Sequence, residues 1–490
     1  MKLRILLVVV LLVIAAYLRL DHLAERTEFL GDQGVFMSIL YTMFHNHSIP
    51  LVGLLHSNGI HSGPIYFYLM AIPYYVSGGS PLAISATMAM FGVIAVFVFW
   101  YVGSRLLGFR WGFLIAFFYA ISPAIIERQR LIWNPSLIPL FSGLALLAVY
   151  KIWQERKYYY FILLGFATSL QLQMHLGTMA TVVFLWIFSW WTIFQRRTKS
   201  IVIWGLAGLA IFIFLWVPYL FYQAGHEWVD IRNFLLYFLS PPVGPHATQL
   251  SDGIHLFFEL FRKALPGLPS PFLEATSLLL IGTSFFLGGF WARILVLWLV
   301  LAFLPILSYR DPIFEHYTYG LAKIPFLLLG FFFSILAQRF PKMLILCLVL
   351  LVLFLQVSSL RAPDKPNNDL SRTERVVDEM IRQADGRDFS FTLLTSRSFS
   401  DYHYRYFFLT RHITPRVIYD DDYPLLFLVC EKDQCPSWDT LRLQKTISVL
   451  CYEQYCQVEY PKKRLAGWVL DREVDVEGGH LLTLRMNAVQ

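Results

Sequence analysis

Long apolar runs return again and again through the first 360 positions, each about 17 to 25 residues, the length one crossing of a bilayer requires. A backbone in hydrocarbon must satisfy its own hydrogen bonds, so runs of this length fold as helices. Counted one crossing each, they give about eleven spans, near 4–20, 82–104, 111–126, 133–150, 158–174, 176–194, 201–222, 274–290, 294–308, 321–337 and 342–359. Composition agrees: 57% of the 490 residues are hydrophobic and 15% charged, well below the roughly one quarter charged in soluble domains. The fold class expected is a polytopic α-helical membrane protein.

The net charge of +7 is a topological signal and implies no nucleic-acid partner. Its Lys and Arg sit in short clusters between apolar runs: Lys2 and Arg4, Arg105 and Arg110, Lys151 to Lys157, Arg196 to Lys199, Arg293, and Arg339 with Lys342. With the N-terminus cytoplasmic, every one of these loops falls inside. The segments 20–81 and 223–273 and the tail 361–490 then lie outside. The opening MKLR and its run Ile5–Tyr17 suit either a signal peptide or a first span; no small-residue cleavage site precedes Arg19, which favours the span.

Both long outer segments carry short apolar stretches suited to helices lying along the interface: Val35–Phe44 and Pro64–Tyr75, then Trp228–Leu239 and Ile254–Leu265. The tail keeps apolar residues throughout. Ser371 and Glu374 make a capping-box pattern ahead of a helical repeat that runs to about Gly386, and Phe389–Leu394 and Leu425–Val429 read as buried strands. A small extracytoplasmic α/β domain is expected at 361–490, after a membrane domain at 1–360. Cys430, Cys435, Cys451 and Cys456 point to disulfides in an oxidising compartment, and four cysteines allow three pairings.

Titratable groups gather at the outer face: Asp32, His56, His61, Glu127, Arg128, Arg130, His175, Arg310, Asp311, Glu315, His316 and Lys323. A carrier would more often hold such groups near the midplane. Asp32, in FLGDQGVF, reads either as a helix N-cap or as a base toward an acceptor nucleophile. Arg128 and Arg130 break the cytoplasmic bias of arginine, so they read as phosphate ligands or as a local pair with Glu127. Lys323 is a further phosphate candidate or a snorkelling lysine. His61, His175 and His316 are single histidines on the same face. A divalent cation held by Asp32, Glu127 and a histidine fits their ligand chemistry.

With these residues in order, the chain resembles the GT-C superfamily, in particular the bacterial protein O-mannosyltransferase-like and aminoarabinose-transferase-like proteins. Asp32 matches the acidic residue these proteins carry in the first outer loop. The stretch HSGPIYFYL, from His61, is similar to their interfacial H-x-P-P motif, with Gly63 in place of the first proline. Glu127 to Arg130 match a motif between the third and fourth spans, and His175 a histidine after the fifth. The segment EHYTYGLAKIPF, with His316 and Tyr317, looks like a donor-side element, as does the loop bearing Arg310. Gln33 replaces the second acidic residue of the family's pair, which puts metal dependence in doubt.

The resemblance implies a glycosyltransferase that takes a sugar from a polyprenyl-phosphate carrier, with Asp32 as base, Arg128, Arg130 and Lys323 at the phosphate, and a protein, lipid or glycan as acceptor, in a bacterial inner membrane. A flippase for a lipid-linked saccharide is the alternative, and a non-catalytic assembly protein a third reading.

Overall fold

The structure, a computed structural model, describes residues 2–56, 59–196, 198–239, 250–309, 312–360, 366–398, 400–419, 422–431, 435–450, 462–476 and 479–487. Seven of its described helices are long and apolar enough to cross a membrane, or nine if each of two bent pairs is one span. The chain is a multi-pass integral membrane protein.

Two expected spans are shorter than a bilayer. The run at 111–126 is interrupted at Ser122 and Pro123: one helix covers Phe109–Ile121 (13 residues) and a second Pro123–Arg128. Proline forces its predecessor out of the helical region, and Ser122 accordingly has φ −67° and ψ 119°. The run at 158–174 resolves into the turn Tyr158–Tyr160 and the 14-residue helix Phe161–Met174. At 1.5 Å per residue these helices reach only about 20 Å.

Glycines set how closely the spans approach. A Cβ on Gly165 would lie 2.0 Å from the Gly208 carbonyl oxygen, and one on Gly208 would lie 2.2 Å from that of Phe161. The helices Phe161–Met174 and Lys199–Phe214 therefore meet backbone to backbone, as small residues allow in lipid. The first helix, Lys2–Leu20, is stitched at its C-terminal end by arginines. Arg19, fully buried, donates from Nε to Gln129 Oε1 at 2.7 Å and from Nη1 to the Ala15 and Ala120 carbonyls. Arg130 in turn donates to the carbonyls of Leu18 and Arg19, which are among the last, otherwise orphaned, acceptors of that helix.

The long segments 20–81 and 223–273 form short helices where they were expected: Gly31–His45, Ile65–Val76, Val229–Leu239 and Leu250–Arg262. In the tail, the expected helix is Asp369–Ala384 and the two strands are β1 (Phe389–Thr395) and β2 (Leu425–Cys430). The described strands add β3 (Thr446–Ser448), β4 (Lys462–Arg464), β5 (Trp468–Val476) and β6 (Gly479–Met486). One sheet has the order β1-β2-β6-β5, with β1 parallel to β2 and the other pairs antiparallel; β3 and β4 pair separately. Cys430 and Cys435 are disulfide-bonded, Cys347 is free, and Cys451 and Cys456 lie outside the described residues.

Side-chain alternation explains how the tail attaches. On β2, Leu425, Phe427 and Val429 share a core with Phe29, Phe36, Tyr66 and Phe67 of the first outer segment. Leu426 and Leu428 point into a second core, with Tyr423, Leu441 and Trp468. The helix Tyr402–Thr410 lies across Gly31–His45, and Phe29 packs on the rings of Tyr406 and Phe407. The crossing point is Gly34, where an added Cβ would lie 2.3 Å from the His403 nitrogen. Because that neighbour is backbone, it cannot swing aside. Gly34→Ala should therefore destabilise the protein by about 1–3 kcal/mol through overpacking and lower its thermal midpoint in detergent; an unchanged midpoint would contradict the crossing.

Candidate functional site

A cavity of about 1090 Å³ opens where the outer segments, the span ends and the tail meet. Its polar end holds Asp32, His56, His175, His316 and Tyr317. Its other end is apolar, lined by Val183, Phe184 and Ile187 of one candidate span and Leu301 and Pro305 of another. Val183, Ile187 and Leu301 are also exposed on the outer surface of the bundle. The chamber thus joins a polar pocket to a cleft between two helices that face lipid.

Asp32 is the second residue of Gly31–His45; the N-cap is Leu30, and Gln33 Oε1 accepts from the Leu30 N–H at 3.0 Å. The capping is thus done by the neighbour, which leaves Asp32 free to face the cavity. Burial pushes its carboxyl up to about 6. The helix N-terminus pulls the other way, since its partial positive charge favours the anion. Such a carboxylate is ionised at neutral pH yet a stronger base than an exposed aspartate.

Three imidazoles line the same cavity. Ring centroids of His56 and His175 are 5.3 Å apart, and those of His175 and His316 4.7 Å. Trp133 packs against His316 at 4.8 Å. His175 Nδ1 accepts from the Gly177 N–H at 3.0 Å, so its proton sits on Nε2. Burial, with His61 nearby, lowers His56 to about 4, which keeps it neutral. Neutral imidazoles donate and accept hydrogen bonds without adding charge, a chemistry suited to hydroxyl groups. Glu127 is exposed and does not line this cavity. Among the described residues no group of three or more His, Cys, Asp or Glu converges as a metal site.

The cations form a second cluster behind the Glu315–Leu321 turn. His316 and Tyr317 of that turn face the cavity, while Glu315 takes Arg128 Nη2 at 3.1 Å and Lys263 Nζ at 3.0 Å. The Lys263 ammonium also sits 4.9 Å from the centroid of the Tyr319 ring. Burial lowers the pKa of Lys263, and Glu315 offsets part of that cost. A space of about 10 Å³ remains among Arg128, Lys263 and Tyr319, room for about one water.

Other sequence candidates lie elsewhere. Arg130 commits two donors to the end of the first helix, as above. Lys323 is buried with its ammonium on the Pro139 carbonyl, outside the cavity lining. His61 Nδ1 pairs with the buried Asp230 at 3.0 Å, and Tyr219 and Gln223 complete that carboxylate's shell at 2.8 and 2.6 Å. His61 therefore ties the first outer segment to the second. Arg310 lies outside the described residues. Sequence reasoning missed Lys263, Asp230, and Ser400 and Tyr402 of the tail, which join the cavity lining. Lys263 had a faint signal, a lysine at the end of an amphipathic outer helix; Ser400 and Tyr402 had none.

No family model and no curated protein sequence matches the chain. Among solved structures, it is similar to ArnT from Cupriavidus metallidurans bound to undecaprenyl phosphate, with a TM-score of 0.61 and 11% identity over 98% of this chain and 97% of the other. The apo form of the same protein aligns with a TM-score of 0.56 at 10% identity, again over 98% and 97%. Likeness over both full lengths at so low an identity shows architecture, and the chain has the GT-C-type fold, a polytopic helical membrane domain with a small α/β tail.

Proposed function

We propose that this protein is a membrane glycosyltransferase that moves a sugar from a polyprenyl-phosphate carrier to an acceptor at the outer face of the membrane. The observation that carries the reading is the two-ended cavity: a half-buried carboxylate and neutral imidazoles at one end, a lipid-facing apolar cleft at the other. A polyprenyl-phosphate sugar has the same two halves. The solved relative that holds undecaprenyl phosphate supports the donor class. The Cys430–Cys435 bond and the cytoplasmic bias of the remaining Lys and Arg support an extracytoplasmic site.

In this reading the lipid tail enters between the helices that carry Ile187 and Leu301, and the sugar lies against His56 and His175. Asp32 takes the proton of the acceptor hydroxyl as its oxygen attacks the anomeric carbon. The bond from that carbon to the phosphate oxygen breaks on the opposite face, inverting the centre and releasing polyprenyl phosphate. Arg128 and Lys263 stabilise the charge on the departing phosphate, which in a partly desolvated site is the larger electrostatic contribution. Since the space between them holds about one water, the phosphate must displace Glu315, the carboxylate that now pairs with both cations.

The test is release of radiolabelled sugar by purified protein from a panel of undecaprenyl- and dolichyl-phosphate sugars, with acceptors supplied. Asp32→Asn should abolish turnover while donor binding persists; normal turnover in that variant would remove Asp32 as the base. Donor binding without release from any member of the panel would favour a lipid-linked saccharide carrier instead. For the wild type, kcat/KM should be flat at neutral pH and fall about tenfold per pH unit below about 6, because the carboxylate must be ionised to accept a proton. A profile level down to pH 4.5 would contradict a base of that pKa.

A further inference from the structure

We infer that Ser398 of the tail is a positioning residue for Asp32: it caps, from outside, the helix that carries the proposed base. This inference rests on the role proposed for Asp32. The first amide hydrogens of a helix have no partner within it, and at Gly31–His45 the N-cap Leu30 has no side-chain acceptor to offer. The Gly31 N–H is taken instead by Ser398 Oγ at 2.9 Å, across 367 positions of sequence. The hydroxyl of Ser398 donates to the Ser400 carbonyl at 2.7 Å and accepts from the Ser400 N–H at 3.2 Å. Its one donor and two lone pairs are thus all in use, which fixes the oxygen in place.

The support continues inward. The Ser398 N–H donates to Ser396 Oγ at 2.9 Å, and Ser396 Oγ donates to the buried Glu431 carboxylate. His403 Nε2 at 2.9 Å and Tyr404 OH at 2.8 Å hold the same carboxylate. His403 and Tyr404 belong to the helix whose backbone meets Gly34, two residues beyond Asp32. Two routes therefore run from Glu431 to the Asp32 helix, one through the serines and one through the Gly34 crossing. The tail in this arrangement does more than roof the cavity; it sets where the carboxylate stands.

The experiment compares wild type, Ser398→Ala, Ser398→Thr and Asp32→Asn as full-length protein in detergent. Two readouts are used: amide hydrogen exchange over residues 28–36, and sugar release from the labelled undecaprenyl-phosphate panel. Ser398→Ala should exchange faster over 28–36 and lose about 10- to 100-fold in kcat, the scale of a small misplacement of a reacting group, with donor KM within about 3-fold of wild type. Ser398→Thr, which keeps the hydroxyl, should recover most of both. Ser396→Ala, which removes only the support beneath Ser398, reads the same link in folded protein if Ser398→Ala does not fold, and should show a smaller loss of the same kind.

Unchanged exchange and kcat in the alanine variants would overturn the inference, as would a loss that threonine does not rescue at an unchanged thermal midpoint. Normal turnover in Ser398→Ala with Asp32→Asn inactive removes the positioning role alone; normal turnover in Asp32→Asn removes the base.

Discussion

The approach of two backbones at Gly34 is what makes a membrane domain and a hydrophilic tail into one body. A helix of the first outer segment and a helix of the tail can cross this closely because position 34 has no side chain, and the rings of Phe29, Tyr406 and Phe407 fill the space around the crossing. Everything at the polar end of the cavity hangs from that contact. Asp32 lies two residues before it, Ser400 lies just before the helix Tyr402–Thr410 and Tyr402 begins it, and β2 extends the shared core into the sheet.

Around this join the chain sorts its charges by what holds them. Arg19 and Arg130 satisfy carbonyls at the end of the first helix and so act as scaffold. Lys323 does the same on Pro139. Arg128 and Lys263 share the carboxylate of Glu315, in a turn whose next two residues line the cavity, with Glu28 and Glu127 also acting on Arg128 and Glu259 on Lys263. Asp32 is different again, a carboxylate raised by burial, near a helix N-terminus and on the cavity wall.

Much of the architecture was legible because lipid leaves the backbone few choices: a long apolar run is a helix, and the runs became helices at the expected places. The tail helix Asp369–Ala384 and strands β1 and β2 were also readable, from apolar periodicity and continuous apolar runs, but Ser371 lies inside the helix, whose N-cap is Asn368, so the capping-box reading does not hold. Strand β5 was not, since WVLDREVDV carries four charges on a half-exposed edge. Pro123 hid a break that only its effect on Ser122 reveals. At the site, Asp32 could be singled out as a carboxylate near the membrane, but Lys263 and Lys323 look alike in sequence. What separates them is the partner each meets, a carboxylate for one and a backbone carbonyl for the other. The serines of the tail carry no local signal at all, because the amide they serve is hundreds of positions away.

The most direct test is an experimental structure of the protein with an undecaprenyl-phosphate sugar bound in lipid nanodiscs. The account predicts the prenyl chain in the cleft beside Ile187 and Leu301, the phosphate on Arg128 and Lys263 with Glu315 turned away, and the anomeric carbon facing Asp32. A head group bound with its phosphate away from both cations, or with Asp32 turned from the sugar, would contradict it.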